Sequence, residues 1–355
     1  MNQLANWFTE RLPIRAEDLR ELTNEPVPNH LKRWWFALGG TPAYLFVIQI
    51  VTGILLAVYY KPTQEAAYES VRFITEEAPY GWYLRGVHRW GATLMVAAVI
   101  LHQMRVYFTG AYRKPREINW MVGMCMLICT LMLGFTGYSL VYEQLSYWGA
   151  TVGANISGSV PVVGEWMRQL MLGGETYNEH TLPRFFVLHA AAMPVGLILL
   201  IVVHIGIIRL QGVTEYEFEE EQGAPATEDE EKKTFNFFPD HLLTELAMGL
   251  SLMVLLSFLA TVSPPVLGPP ADPLVTPEVI KPEWFFYVAF RWLKLFSGTA
   301  AILSMGFVVF VMFTWPFIDA WVRRRTRWTE FSVWVGIVGV LAIVALTIWE
   351  AVVAH

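Results

Sequence analysis

The sequence has few charged residues and almost no cysteine. Asp, Glu, Lys and Arg make up 16% of its 355 residues, and Cys125 and Cys129 are the only cysteines. This low charge, combined with 55% hydrophobic residues in long runs, excludes an ordinary soluble domain. Both cysteines lie in one apolar stretch, where we interpret them as small core residues. The motif C-x-x-C-H is absent, which excludes a haem attached covalently through it.

The apolar runs predict an all-α polytopic membrane protein with seven transmembrane helices. The segment 7–20 before the first run is polar and amphipathic and lacks an A-x-A-like site, so we expect no cleaved signal peptide. The predicted helices lie near 34–60, 84–108, 118–140, 182–210, 242–262, 299–321 and 331–352.

Basic residues are concentrated at one end of these predicted helices. The N-terminus and the loops 109–117, 211–240 and 322–328 carry most of the Lys and Arg. By the positive-inside rule these segments face the cytoplasm, with the N-terminus on the negative side of the membrane. Two large loops rich in Gly or Pro, 141–181 and 263–284, then lie opposite, where they could form a lid over a site near the surface.

A dense acidic run divides the chain. Nine Asp and Glu residues lie between 215 and 231, a composition typical of a solvated linker. We therefore predict a four-helix part at 1–214, an acidic linker at 215–240 and a three-helix part at 241–355.

Four histidines form two pairs inside apolar stretches. His88 and His102 are 14 residues apart, and His189 and His204 are 15 residues apart. In a regular α-helix these spacings return the two rings to within about 40° and 60° of one face, roughly 21 and 22 Å apart along the axis. An unpaired imidazole is costly in hydrocarbon, so two such helices side by side predict two stacked six-coordinate haems, each held by a facing pair.

Glycines repeat the spacing of the histidines. Gly39 and Gly53 are 14 residues apart, and so are Gly123 and Gly137. Glycine in a helix interior costs about 1 kcal/mol relative to alanine, so a matched repeat needs a reason. Close helix packing is one explanation. The other, which the equal pitch favours, is a flat macrocycle that approaches the backbone at both depths.

Three arginines lie near the histidines at the ends of the predicted helices. Arg85 and Arg105 are each three residues from a histidine, and Arg184 is five residues from one. Each could pair with a haem propionate or simply extend to the membrane surface.

Motifs along nearly the whole chain resemble those of cytochrome b of the quinol-oxidising bc complexes. They are R-G-V-H-R-W at 85–90, I-L-H at 100–102, T-G-Y-S-L at 136–140, T-L-P-R-F-F-V-L-H at 181–189 and P-E-W-F at 282–285. Three features look more like the chloroplast-type (bf) branch. They are the 15-residue histidine interval, the motif W-F-x-E-R-L at 7–12 and the three helices predicted after the linker. In that branch the two halves are separate polypeptides, whereas here they look fused.

The resemblance implies two non-covalent haems b. His88 and His189 would bind the low-potential haem near the positive side, and His102 and His204 the high-potential haem near the negative side. It further implies quinol as substrate, proton translocation, and a Rieske-type iron–sulfur protein and a c-type cytochrome as partners. We expect a homodimer within a larger complex, surrounded by lipid in an energy-transducing membrane such as the bacterial inner membrane, with no role in nucleic-acid binding.

The resemblance also indicates residues of the two quinone sites. Glu283, a carboxylate among prolines and aromatic residues, would accept a proton from quinol, with Tyr138 able to share that role. Trp284 and Phe285 would line this pocket, although the family's P-E-W-Y has lost its phenol in Phe285. For the negative-side quinone site the candidates, by position only, are Arg209, Asp240 and His241.

Two further departures from the family bear on function. The bf branch has a cysteine that holds an extra covalent haem, and Ala37 stands at that place, so we expect no such haem on this chain. The family's L-P-W-(G/D)-Q has become L-V-Y-E-Q at 140–144, which changes the lining of the quinol pocket.

Two other functions are compatible with buried histidines. A haem-free transporter could use them as a proton relay, but such proteins place ionisable residues near the midplane and not at two depths. A transmembrane di-haem reductase would pass electrons straight across without a bifurcating site, and the P-E-W-F loop argues against it.

Overall fold

The computed structural model describes residues 26–28, 38–212, 234–236, 242–296 and 298–353. The amphipathic segment 7–20, Ala37, the acidic run, Asp240 and His241 lie outside the described residues. The described residues belong to two compact units, Met1–Tyr44 with Val213–Leu255 and Leu45–Gly212 with Leu256–His355.

The first unit contains the only strands of the described chain, β1 (Pro26–Pro28) and β2 (Thr234–Asn236), which pair antiparallel. Because β2 falls within 215–240 and most of that range is not described, the predicted domain boundaries stay a prediction.

Helices make up nearly all the rest of the described structure. They are α1 (Thr41–Ala57), α2 (Ala67–Glu76), α3 (Gly81–Phe108), α4 (Glu117–Ser139), α5 (Gln144–Gly158), α6 (Gly164–Leu172), α7 (Thr181–Val187), a π-turn (Leu188–Ala192), α8 (Met193–Gln211), α9 (Leu242–Val262), a 3₁₀ turn (Trp284–Phe286), α10 (Tyr287–Leu295), α11 (Gly298–Phe313), α12 (Trp315–Thr326) and α13 (Phe331–Val352).

The predicted helical membrane fold is confirmed, and the helix count is partly so. Among the described residues, α3, α4, Thr181–Gln211, α9 and α13 are long and apolar enough to cross a membrane. The bent pair α11 and α12 is a sixth candidate, while α1 is apolar but only 17 residues long. Seven spans therefore remain a prediction.

The predicted continuous helix at 299–321 is wrong in one respect. The chain bends by 70° between α11 and α12, at Thr314. Pro316 lies in the first turn of α12, where its missing N–H breaks the hydrogen-bond ladder that a straight helix needs.

The span Thr181–Gln211 contains the π-turn, and this turn holds His189. Pro194 follows at the start of α8 and cannot donate to the carbonyl four residues earlier, which favours the wider turn. A π-turn contains one residue more than an α-turn. The 15-residue interval from His189 to His204 therefore behaves like 14 regular residues and leaves the rings about 40° apart, as in the pair on α3.

Loops meet at both ends of the second unit. At one end, Arg113 in the loop between α3 and α4 lies 3.0 Å from Asp319 of α12, and Ser332 of α13 donates to the same carboxylate at 2.5 Å. At the other end, the segment 263–283 lies against the loop that follows α4. We call these the Asp319 end and the Glu283 end.

Candidate functional site

The first pair of histidines meets between α3 and the π-turn. The ring centroids of His88 and His189 are 6.2 Å apart. Two imidazole nitrogens about 2.0–2.1 Å from one metal lie roughly 4 Å apart, with the ring centroids about 1 Å further back on each side. The observed separation is therefore of the size expected if both rings were to hold one metal ion between them.

Hydrogen bonds fix the tautomer of both rings. Thr52 of α1 donates its hydroxyl proton to Ile48 O at 2.7 Å, so its oxygen can accept from Nδ1 of His88 at 2.9 Å. Nδ1 of His189 lies 3.1 Å from Leu133 O, and a carbonyl can only accept. Both rings therefore carry their proton on Nδ1 and leave Nε2 as the free donor atom that a metal needs.

Three of the four paired glycines lie against these histidines. A Cβ at Gly137 would stand 2.6 Å from Cε1 of His189, and one at Gly53 would stand 3.3 Å from Cε1 of His88. At Gly123 the corresponding distance to His204 is 4.0 Å. Gly39 lies in a 3₁₀ turn that precedes α1, so only the pair on α4 repeats within one described α-helix.

The second pair, His102 and His204, lies toward the Asp319 end. The two rings are within electrostatic range of each other. Arg105 Nη2 lies 3.4 Å from Nδ1 of His102, a long contact from a group that can only donate. The contact at Nδ1 of His102 therefore does not favour the tautomer with a free Nε2, as the contacts at His88 and His189 do.

No group of three or more His, Cys, Asp or Glu side chains is arranged as a metal site in the part of the chain that the structure describes. A haem iron takes four ligands from its macrocycle and needs only two from the protein. Facing pairs of histidines beside glycine backbone therefore fit haem better than a bare metal ion.

The predicted propionate partners bond mainly to backbone. Arg85 donates to Pro265 O at 2.8 Å, and Arg184 donates to Leu170 O at 3.2 Å. The first bond holds the segment 263–283, and the second holds the end of α6. A role for Arg85, Arg105 and Arg184 toward a haem stays a prediction.

Glu283 lies in a partly enclosed site and is paired with a residue that the sequence analysis did not single out. Its side chain is 15% exposed, and Oε2 accepts from Arg89 Nη2 at 2.5 Å. Tyr138 lies within electrostatic range of Glu283, Arg89 and Glu143. Arg89 of α3 thus interacts with both predicted proton acceptors, by direct contact with Glu283 and electrostatically with Tyr138.

The aromatic residues after Glu283 have different exposures. Phe285 is buried, and its ring lies 3.0 Å from where a Cβ of Gly134 on α4 would stand. Trp284 is 37% exposed. Phe285 therefore anchors the 3₁₀ turn to α4, while Trp284 remains able to contact a ligand.

The changed motif at 140–144 ties the two large loops together. Glu143 caps α5 and accepts from Gly268 N at 2.6 Å, and Gln144 accepts from Asp272 N at 2.6 Å. Tyr142 adopts a left-handed conformation with φ of 55°, and its carbonyl accepts from Ala271 N. The predicted lid is thus a hydrogen-bonded unit.

Aromatic side chains also pack against one another within the loop 141–181, which forms part of the lid. Tyr177 packs 4.6 Å from Tyr147 and 6.0 Å from Tyr142. Burial raises the pKa of the Tyr177 hydroxyl, so it stays neutral.

Of the proposed negative-side quinone ligands, only Arg209 is described, and it lies exposed in the last turn of α8. Asp240 and His241 are outside the described residues. This site stays a prediction.

Three features of the site were not predicted from the sequence. Arg89, Thr52 and the π-turn contribute to it through contacts with other elements. Arg89 follows His88 directly within R-G-V-H-R-W, and Pro194 follows His189 by five residues. These were the available signals for the ion pair and the turn.

The site contains paired histidines on neighbouring apolar helices, glycines beside them, and a loop that carries Glu283. This combination is typical of membrane electron-transport proteins that bind haem. Residues 22–212 match the family described as cytochrome b/b6/petB, and residues 270–355 match cytochrome b(C-terminal)/b6/petD. The chain belongs to the cytochrome b/b6 family, as a form in which the b6 and subunit IV parts are fused.

Relatives agree with this arrangement. Cytochrome b6 of Heliobacterium mobile is 46% identical over 210 residues, 59% of this chain and 99% of its own. The cytochrome bc complex cytochrome b subunit of Chlorobaculum thiosulfatiphilum is 33% identical over 97% of this chain and 79% of its own. A solved structure, "Hyperthermophilic respiratory Complex III", aligns with a TM-score of 0.84 at 28% identity, covering 99% of this chain and 92% of that one.

Proposed function

We propose that this chain is the di-haem cytochrome b subunit of a bc-type complex that oxidises quinol at the Glu283 end and reduces quinone at the Asp319 end. The observation that carries the proposal is the distance of 6.2 Å between the ring centroids of His88 and His189. His102 and His204 supply a second level, about 21 Å away by helix rise.

Haem b, when held by these two pairs, supplies one-electron carriers at two depths of the membrane. The role of the protein is to present Nε2 of each ring, through the bonds at Nδ1 of His88 and His189. Glycine at 53 and 137 keeps the backbone close enough for a flat group to enter.

Oxidation of quinol to quinone releases two electrons and two protons. One electron passes to a Rieske-type iron–sulfur partner and then to a c-type cytochrome, and the other crosses to the quinone-reducing site. Moving one electron across the membrane against the transmembrane potential costs about 2.3 kcal/mol per 100 mV. Two such turnovers deliver the two electrons that reduce one quinone, which takes up two protons on the negative side, so the cycle translocates protons.

Glu283 accepts one of the two protons of quinol. Its carboxylate is nearly enclosed, and Arg89 holds it in one rotamer until substrate arrives. Tyr138, which is in electrostatic range of Glu283, could share this role.

The test is Glu283→Gln, which keeps the shape and removes the base. We expect quinol turnover to fall by about 10²–10⁴-fold, with both haems present and reducible from the negative side. Steady-state turnover is measured from pH 5 to 9, with haem content measured in parallel. Wild-type turnover at every pH would remove Glu283 from the mechanism. Glu165 is an exposed carboxylate on α6, so Glu165→Gln is the control and should keep wild-type turnover.

A further inference from the structure

A fully buried carboxylate lies at the end of the last helix, outside the site described above. Glu350 on α13 is 0% exposed, and its Oε1 lies 3.1 Å from Lys294 Nζ. Its Oε2 lies 3.7 Å from Arg291 Nη1. Burying a carboxylate carries a large desolvation penalty unless cations and hydrogen bonds compensate, so this arrangement is much more demanding than a surface ion pair.

Both cations belong to α10, the helix that directly follows the turn Trp284–Phe286. The guanidinium of Arg291 stacks 3.8 Å above the ring of Trp349, the neighbour of Glu350. Arg291 is therefore held by both charge and ring contact, which fixes the orientation of α10 on α13.

The same end of α13 also holds the chain before Glu283. Lys281 Nζ donates to Val353 O at 2.9 Å, and Ala351 O lies 3.4 Å from it. Carbonyls at a helix C-terminus attract cations, so this bond is a favourable one. The end of α13 thus binds the quinol-site loop two residues before Glu283 and again eight residues after it.

We infer that the end of α13, through the Glu350 side chain and the carbonyls that bind Lys281, positions residues 281–295 for quinol oxidation, so that Glu283 stays at the site. The inference rests on the proposed function, in which Glu283 accepts a proton from quinol. Displacement of a reacting group by about 1 Å can cost about 10²-fold in rate, so a distant anchor of this loop affects catalysis without contact with substrate.

The experiment compares Glu350→Gln, Glu350→Asp and Glu330→Gln in the assembled complex, with a decyl-chain quinol as substrate. Glu330 is exposed and lies at the other end of α13, which makes it a matched control. We expect Glu350→Gln to lower kcat at least about tenfold and to raise KM, with unchanged haem content. Glu350→Asp, which keeps the charge, should recover part of kcat, and Glu330→Gln should match the wild type.

A second variant covers the case in which Glu350→Gln fails to assemble. Lys281→Met releases the loop on its other side and leaves the buried carboxylate intact, and we expect it to raise KM several-fold. The inference is overturned if Lys281→Met and any assembled Glu350→Gln complex match the wild type while Glu283→Gln is impaired. Wild-type turnover in Glu283→Gln as well would instead reject the proposed function.

Discussion

At the scale of single residues, the pairing of His88 with His189 was predictable from the sequence, but the groups that orient the two rings were not. Spacing alone indicated His88 and His189, because an apolar stretch gives an imidazole few other roles. Thr52 and Leu133 O select the Nδ1 tautomer from neighbouring helices. No local pattern reveals such contacts, since they depend on which helices pack together.

Glycine at 137 gives a residue-scale prediction. A Cβ there would stand 2.6 Å from His189, so Gly137→Ala should overpack the first level at a cost of about 1–3 kcal/mol. We expect haem at that level to bind roughly 5- to 150-fold more weakly, and haem-binding titration of the purified protein measures it.

Gly206→Ala on α8 is the control for this prediction, because nothing lies within 4 Å of its new Cβ. Equal haem affinity in the two variants would show that Gly137 has no part in holding the macrocycle.

At the scale of elements, the helix positions followed from hydropathy, and α9 and α13 have the predicted bounds. Two irregularities did not follow. The bend at Thr314 divides a helix that looks continuous by composition, and the π-turn changes the register between two histidines. Both involve a proline, Pro316 and Pro194, whose effect depends on how the surrounding helices accommodate a lost hydrogen bond.

The π-turn leads to a prediction about register. Deletion of Ala191 together with Pro194→Ala should restore a regular helix with a 14-residue interval, and both haems should be retained. Insertion of one alanine after Leu199, within regular α8, should rotate His204 by about 100° and remove one haem. Haem content per chain distinguishes the two.

Loss of a haem in the deletion variant, or two haems in the insertion variant, would show that the π-turn does not compensate for the extra residue. Both proteins must first be shown to insert in the membrane.

At the scale of the whole molecule, the resemblance of motifs predicted a fusion of two halves, and the family matches confirm it. The contacts between the halves could not be predicted, because they join residues that are 206 and 125 positions apart in the sequence. Arg113 with Asp319 and Glu143 with Gly268 secure opposite ends of the second unit. Each bond joins a loop of the first half to the second half.

The proposal of two haems at two depths is tested by redox-difference spectroscopy of the His102→Leu complex. We expect one of the two haem b components to disappear while the component that depends on His88 keeps its spectrum. The proposal would be contradicted if His102→Leu and His88→Leu complexes lost the same component and retained the same other one.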